Sequence, residues 1–138
     1  MNGLFITGTD TGVGKTLVCG LLAGYLQRHG HRVITQKWVQ TGCTDLSEDI
    51  EAHCTLGDLA PRETLRSLTN PYLFALPASP HLAAEAERRK VDPAVITQAY
   101  HALANHADLV LVEGAGGVMV PITRQCLTIN LVAELRIP

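Results

Sequence analysis

The chain has 138 residues and a mass of 14.8 kDa, room for one domain of ordinary size. Hydrophobic residues at 46% against charged residues at 17% exclude a disordered chain, which needs low hydrophobicity and high charge. A formal charge of −2 supplies no basic surface for nucleic acid or an anionic membrane.

Leu4-Phe5-Ile6-Thr7, bounded by Gly3 and Gly8, predicts a buried strand. After a polar, Gly-rich turn, Leu17, Val18, Leu21, Leu22, Tyr25 and Leu26 recur on one helical face, which predicts an inward-facing helix stopped at Gly30. Residues 33–37 predict a second strand, and strand, helix, strand reads as a parallel βαβ unit. Asp45-Leu46-Ser47-Glu48 has the pattern of a capping box opening a short helix to about residue 55. Residues 61–77 hold three prolines and read mainly as loop, with a short helix near 62–67. Ser79-Pro80 and Asp92-Pro93 are cap and first-turn pairs for helices to residue 89 and over 94–106. The second of these places Val95, Ile96, Ala99 and Leu103 inward. Leu109-Val110-Leu111-Val112 predicts a central parallel strand, and a last helix covers residues 128–135.

The class is α/β with a mostly parallel sheet, read as one domain over residues 1–138. Met1-Asn2-Gly3-Leu4 lacks the basic and apolar regions of a signal peptide. The apolar stretch 17–26 is too short to span a membrane. Cys19, Cys43, Cys54 and Cys126 include no CxxC pair and fit reduced thiols. A soluble, cytoplasmic protein is expected.

Gly8-Thr9-Asp10-Thr11-Gly12-Val13-Gly14-Lys15-Thr16 joins the first predicted strand to the first predicted helix. In a phosphate loop, backbone N–H groups cradle phosphates, the lysine reaches the β and γ oxygens, and the last hydroxyl ligates Mg²⁺. The helix N-terminus adds partial positive charge. Thr9 stands at the first Gly position of the usual GxxxxGK[ST] spacing, so the strand-before, helix-after placement carries the assignment.

Three further residues are open to two readings each. Glu113 ends an apolar strand before Gly114-Ala115-Gly116-Gly117, where a carboxylate either helps hold Mg²⁺ or serves the turn. Lys37 closes the second strand and either faces an anionic partner or reaches solvent from an edge. Asp49 is either a second metal carboxylate or a first-turn acid favoured by the helix dipole. Trp38 reads as packing, and among six histidines without metal spacing only His81 stands out, with surface packing the plainer role.

Gly8 to Thr16, Lys37-Trp-Val-Gln-Thr-Gly42, Asn70-Pro-Tyr-Leu-Phe74, Ser79-Pro-His81 and Glu113-Gly-Ala-Gly-Gly117 occur in one order across nearly the whole chain. Together they resemble the dethiobiotin synthase family. The resemblance implies a three-layer fold of the P-loop NTPase type. The implied activity is ATP- and Mg²⁺-dependent closure of a ureido ring on 7,8-diaminononanoate with CO₂, by way of a carbamate and its mixed anhydride with phosphate. By position, Gly12, Val13, Gly14, Lys15, Thr16 and Leu17 would wrap ATP, bordered by Asp49, Glu113, Gly114, Ala115 and Gly116. Thr16, Asp49 and Glu113 would ligate Mg²⁺, Lys37 and Lys15 would be catalytic, and Thr41 would contact substrate. The resemblance also implies a homodimer and a family domain that continues beyond Pro138. Trp38 stands where the family usually has Pro, and Gly12 where some members have Glu. Alternatives are the ATPase domain of a cobyrinate amidotransferase, a partitioning-type nucleotide switch (which usually has Lys where Asp10 stands), or a chain without activity of its own.

Overall fold

The computed structural model describes residues 3–138; Met1 and Asn2, on which part of the signal-peptide reading rests, lie outside them. The elements are β1 (Gly3–Ile6), α1 (Lys15–Arg28), β2 (Val33–Lys37), β3 (Val39–Thr41), α2 (Glu48–Gly57), α3 (Arg66–Thr69), β4 (Tyr72–Phe74), α4 (Pro80–Ala86), α5 (Pro93–Ala104), β5 (Leu109–Glu113) and α6 (Thr128–Leu135). A single 3₁₀ turn, Glu63–Leu65, precedes α3.

β1, β5 and β2 form a parallel sheet with β5 in the middle. The sequence reading makes β1 and β2 consecutive and parallel; the structure keeps them parallel and inserts β5 between them. Side chains alternate across this sheet, as the period of two requires. Phe5, Ile34, Val110 and Val112 join Ile96, Tyr100, Leu103 and Leu131 in one core. Ile6, Val33 and Leu111 join Cys19 and Ala23 in the other. Helices therefore cover both faces, and the fold is the three-layer α/β arrangement expected. Lys37 and Glu113, in step with Val33 and Leu111, point to the α1 side.

The inward face of α1 is not the predicted one. Its buried positions are Lys15, Cys19, Gly20, Ala23 and Gly24, whereas Leu17, Val18, Leu21 and Tyr25 are each about half exposed. Leu22 and Leu26 pack only partly against the second core. The reason is the close crossing of α1 and α2. A Cβ on Gly24 would collide with the Gly57 carbonyl oxygen, and one on Gly57 would stand 2.7 Å from the Gly20 carbonyl oxygen. Small residues let the helices approach, and the apolarity of the larger ones was a misleading guide. On α5, Val95 is exposed, against the expectation, while Ile96, Ala99 and Leu103 are buried as expected.

Caps refine the predicted boundaries. Ser47 caps α2, its Oγ accepting from Ile50 N–H at 3.3 Å, two residues later than the Asp45-based box. Asp92 caps α5 as predicted, with Oδ1 accepting from Ala94 N–H at 2.9 Å. α4 ends at Ala86, short of residue 89, because Arg88 takes a left-handed φ of 55°. β3 and β4 pair in parallel as a second sheet; β4 lies inside the segment 61–77 read mainly as loop, and β3 in a stretch to which the sequence reading assigns no element.

Ile137 is buried. Ile6 C=O accepts from Gly114 N–H at 3.1 Å on the β5 side, while Phe5 N–H, facing the other way, donates to Pro138 C=O at 2.6 Å. Residues 137–138 thus run beside the far edge of β1.

Candidate active site

The phosphate loop turns between β1 and α1 as expected. Gly12 and Gly14 have φ values of 71° and 101°, in the left-handed region that an L side chain enters only with strain. Gly14 is the N-cap of α1, so the loop delivers Lys15 and Thr16 into its first turn. Lys15 is buried, and its ammonium donates to the Asp10 carbonyl of the same loop. Val13 and Leu17 are half exposed at the rim. The turn after β5 lies against this loop: a Cβ on Gly117 would stand 3.0 Å from the Gly8 carbonyl oxygen. The turn that holds Gly114, Ala115 and Gly116 thus meets the phosphate loop at Gly117.

Parallel register puts Lys37 level with Glu113 at the carboxyl ends of β2 and β5. Lys37 Nζ stands 2.6 Å from Asp49 Oδ2 and donates at 3.0 Å to both Glu113 Oε1 and the Gly114 carbonyl. Thr16 Oγ1 lies 3.0 Å from Glu113 Oε1 and 3.3 Å from Asp49 Oδ1. Glu113 is 1% exposed and Lys37 5%, so these contacts are formed largely out of water, where they are strong and where an unpaired charge is costly. The edge-lysine and turn-glutamate readings are thereby overturned. Asp49 faces the cluster while also opening α2, so both its readings hold geometrically.

α2 is held in place from β3. Gln40 is buried, and its Oε1 accepts from Ser47 Oγ at 2.8 Å and from Asp49 N–H at 3.4 Å. Asn70 Nδ2 donates to the carbonyls of Lys37 and Tyr72 at 2.9 and 3.0 Å, tying the end of β2 to β4. Thr41 closes β3 and makes no side-chain hydrogen bond to the cluster among the described residues. Trp38 is packing, as read: it is 1% exposed, lies 5.1 Å from the Phe5 ring centroid, and donates from Nε1 to Gln36. His81 meets only Ser79 Oγ, at 3.2 Å.

The residue missed from sequence is His53. It is fully buried, with Nε2 2.6 Å from Glu113 Oε2. The signal was present: His53 follows Asp49 by four residues on one helix, which puts both on one face.

Burial pushes the Glu113 carboxyl up, but the His53 hydrogen bond and the Lys37 charge outweigh it and hold it at about 2. The folded state therefore binds this proton more weakly than the unfolded chain does. The stabilisation is full above the ordinary value of 4.5 and is lost as pH falls from there towards 2, on the order of 3 kcal/mol in all. Thermal melts in EDTA from pH 6 to pH 2.5 are expected to show the gap between the native protein and Glu113→Gln narrowing across that window. A gap that stays constant would remove the carboxylate from this account.

The donors fit a hard divalent cation. Thr16 Oγ1, an Asp49 oxygen and Glu113 Oε1 are oxygen ligands converging at one end of the phosphate loop, and one ammonium between two carboxylates leaves negative charge in excess. Mg²⁺ takes such a set together with nucleotide phosphates. A separate concavity in the surface is lined by residues such as Arg32, Leu46, Ile50, Arg62 and Arg66. It includes none of Lys15, Thr16, Lys37 or Glu113, so the chemistry does not centre on it.

A family model described as an AAA domain matches residues 2–138. The chain is 46% identical over 136 residues to the ATP-dependent dethiobiotin synthetase BioD 2 of Haemophilus ducreyi, a match covering 98% of this chain and 64% of that protein. It is 48% identical over 132 residues to the ATP-dependent dethiobiotin synthetase BioD of Chlorobaculum tepidum, covering 95% and 55% respectively. With the BioD 2 of Haemophilus influenzae, identity is 42% over 130 residues, covering 94% of this chain and 68% of that protein. The chain thus spans about three fifths of the length of the first two relatives.

Proposed function

For a chain that belongs to the AAA domain family and to the dethiobiotin synthetase family, we propose the ATP-dependent closure of the ureido ring of dethiobiotin from 7,8-diaminononanoate and CO₂. The observation that carries this reading is Lys37, a buried ammonium held by Asp49 and Glu113 beside Thr16 of the phosphate loop.

In this reading the backbone N–H groups of Gly12, Val13, Gly14, Lys15, Thr16 and Leu17 hold the ATP phosphates, with the Lys15 ammonium on the β and γ oxygens. Asp49, Glu113, Gly114, Ala115 and Gly116 border the nucleotide. Thr16, Asp49 and Glu113 would hold Mg²⁺, which supplies charge neutralisation on the phosphates when bound. One substrate amine adds to CO₂ to give a carbamate, losing a proton. A carbamate oxygen attacks the γ-phosphorus, and ADP leaves. The second amine attacks the carbonyl carbon of the resulting anhydride, and phosphate leaves as the ring closes. Lys37 stabilises negative charge on the transferring phosphoryl group, and Thr41 contacts the diamine. A homodimer and a cytoplasmic setting follow from the family likeness alone; among the described residues no helix is long and apolar enough to cross a membrane.

The test supplies the protein with ATP, Mg²⁺, bicarbonate and 7,8-diaminononanoate. The expected result is equimolar ADP, phosphate and dethiobiotin. ATP consumption that ignores the diamine would favour a nucleotide switch instead.

A further inference from the structure

We propose that His53 is a positioning residue that holds Glu113 from behind, reserving Glu113 Oε1 for the cation. The inference rests on the reading of Glu113 as a metal ligand given above.

The two oxygens of Glu113 have separate partners. Oε1 meets Thr16 Oγ1 and Lys37 Nζ, both at 3.0 Å, on the side of the phosphate loop. Among the described residues, Oε2 meets only His53 Nε2, at 2.6 Å. An ionised carboxylate accepts and cannot donate, so the hydrogen in this bond belongs to the imidazole. The other ring nitrogen, Nδ1, is buried with no partner among the described residues. A hydrogen there would be a buried N–H without an acceptor, so the ring is the Nε2–H tautomer, aimed at Glu113.

Among the described residues no other hydrogen bond fixes the ring; packing does. A Cβ on Gly20 would come within 3.1 Å of His53 Cα, so α1 presses on α2 at this residue. α2 thereby delivers Asp49 to the front of the site and His53, one turn on, to its back. Groups that orient a metal-binding side chain commonly matter 10–100-fold in metal affinity.

Cys19 also lies within 4.8 Å of the His53 and Glu113 ligand atoms, which raises the alternative of a soft-metal site. Burial, with the Glu113 charge added, pushes the Cys19 thiol up, and a protonated thiol is a poor ligand. Cys19 is fully buried and belongs to the core, whereas His53 bonds the carboxylate.

The probe is Mn²⁺, its binding followed by electron paramagnetic resonance in the presence of a non-hydrolysable ATP analogue. His53→Leu keeps the volume and loses the donor; it is expected to weaken Mn²⁺ binding about 10-fold or more, with analogue affinity in EDTA unchanged. His53→Gln can still donate to Oε2 and is expected to stay within about 3-fold of the native protein, on the weak side of an interaction worth 10-fold or more. A purely structural role would lower the melting temperature of both variants without separating their Mn²⁺ affinities, and that result overturns the inference. So does native affinity in His53→Leu beside weakened binding in Glu113→Gln. Native affinity in Glu113→Gln itself removes the metal reading, and this inference with it. Should His53→Leu not fold, ¹⁵N resonances of the native imidazole decide: hydrogen on Nε2 supports the assignment, and hydrogen on Nδ1 with a bare Nε2 overturns it.

Discussion

Replacing Lys37 by Gln is expected to lower kcat for dethiobiotin formation by about two to three orders of magnitude, the usual loss when one donor at developing charge is removed. The ammonium stands between Asp49 and Glu113, at 2.6 and 3.0 Å. A group that acts only on the transition state lowers kcat and kcat/KM together and leaves nucleotide binding nearly unchanged. The variant also leaves two carboxylates facing each other without their ammonium. That alone can cost several kcal/mol of stability, so melts must accompany the kinetics and Mg²⁺ must be saturating. Steady-state rates with varied ATP and varied diamine check the prediction. A change confined to the KM for ATP would make Lys37 a nucleotide contact.

Lys15→Ala is expected to weaken ATP binding by about 10–100-fold, since hydrogen bonds to charged groups contribute roughly 1.5–3 kcal/mol. The fold is expected to survive, because among the described residues Lys15 Nζ donates only to the backbone carbonyl of Asp10 in its own loop. The left-handed Gly12 and Gly14, which shape the loop, remain. Calorimetric titration with ATP separates the two variants: Lys15→Ala changes affinity, and Lys37→Gln changes turnover. Native affinity in Lys15→Ala would move the triphosphate away from this loop.

The parts of the site legible in the sequence are those written locally. Gly8 to Thr16 carries its geometry in its own glycines and flanking elements, and Lys37 and Glu113 are marked by being charged at the ends of apolar strands. β3 and β4 were not legible, because three-residue strands gain stability only from a partner about thirty positions away. The face of α1 was misread because large apolar side chains are the usual sign of burial, while here the close helix crossing selects Cys19, Gly20, Ala23 and Gly24. His53 was passed over for a different reason. A residue acting through a carboxylate leaves no metal-ligand spacing; only its place one turn after Asp49 marks it.

The glycine seam between α1 and α2 bears on the timing of order in this site. With Gly20, Gly24 and Gly57 in backbone contact, the two helices form one stiff lever. At the same end of the pair, α1 carries Lys15 and Thr16 and α2 carries Asp49 and His53. Their separation is settled as the helices pack, so the entropy of assembling phosphate, cation and carboxylate contacts is spent during folding and not at each encounter with ligand. Arrangement in advance of this kind is a large share of what separates a catalytic centre from the same groups free in water.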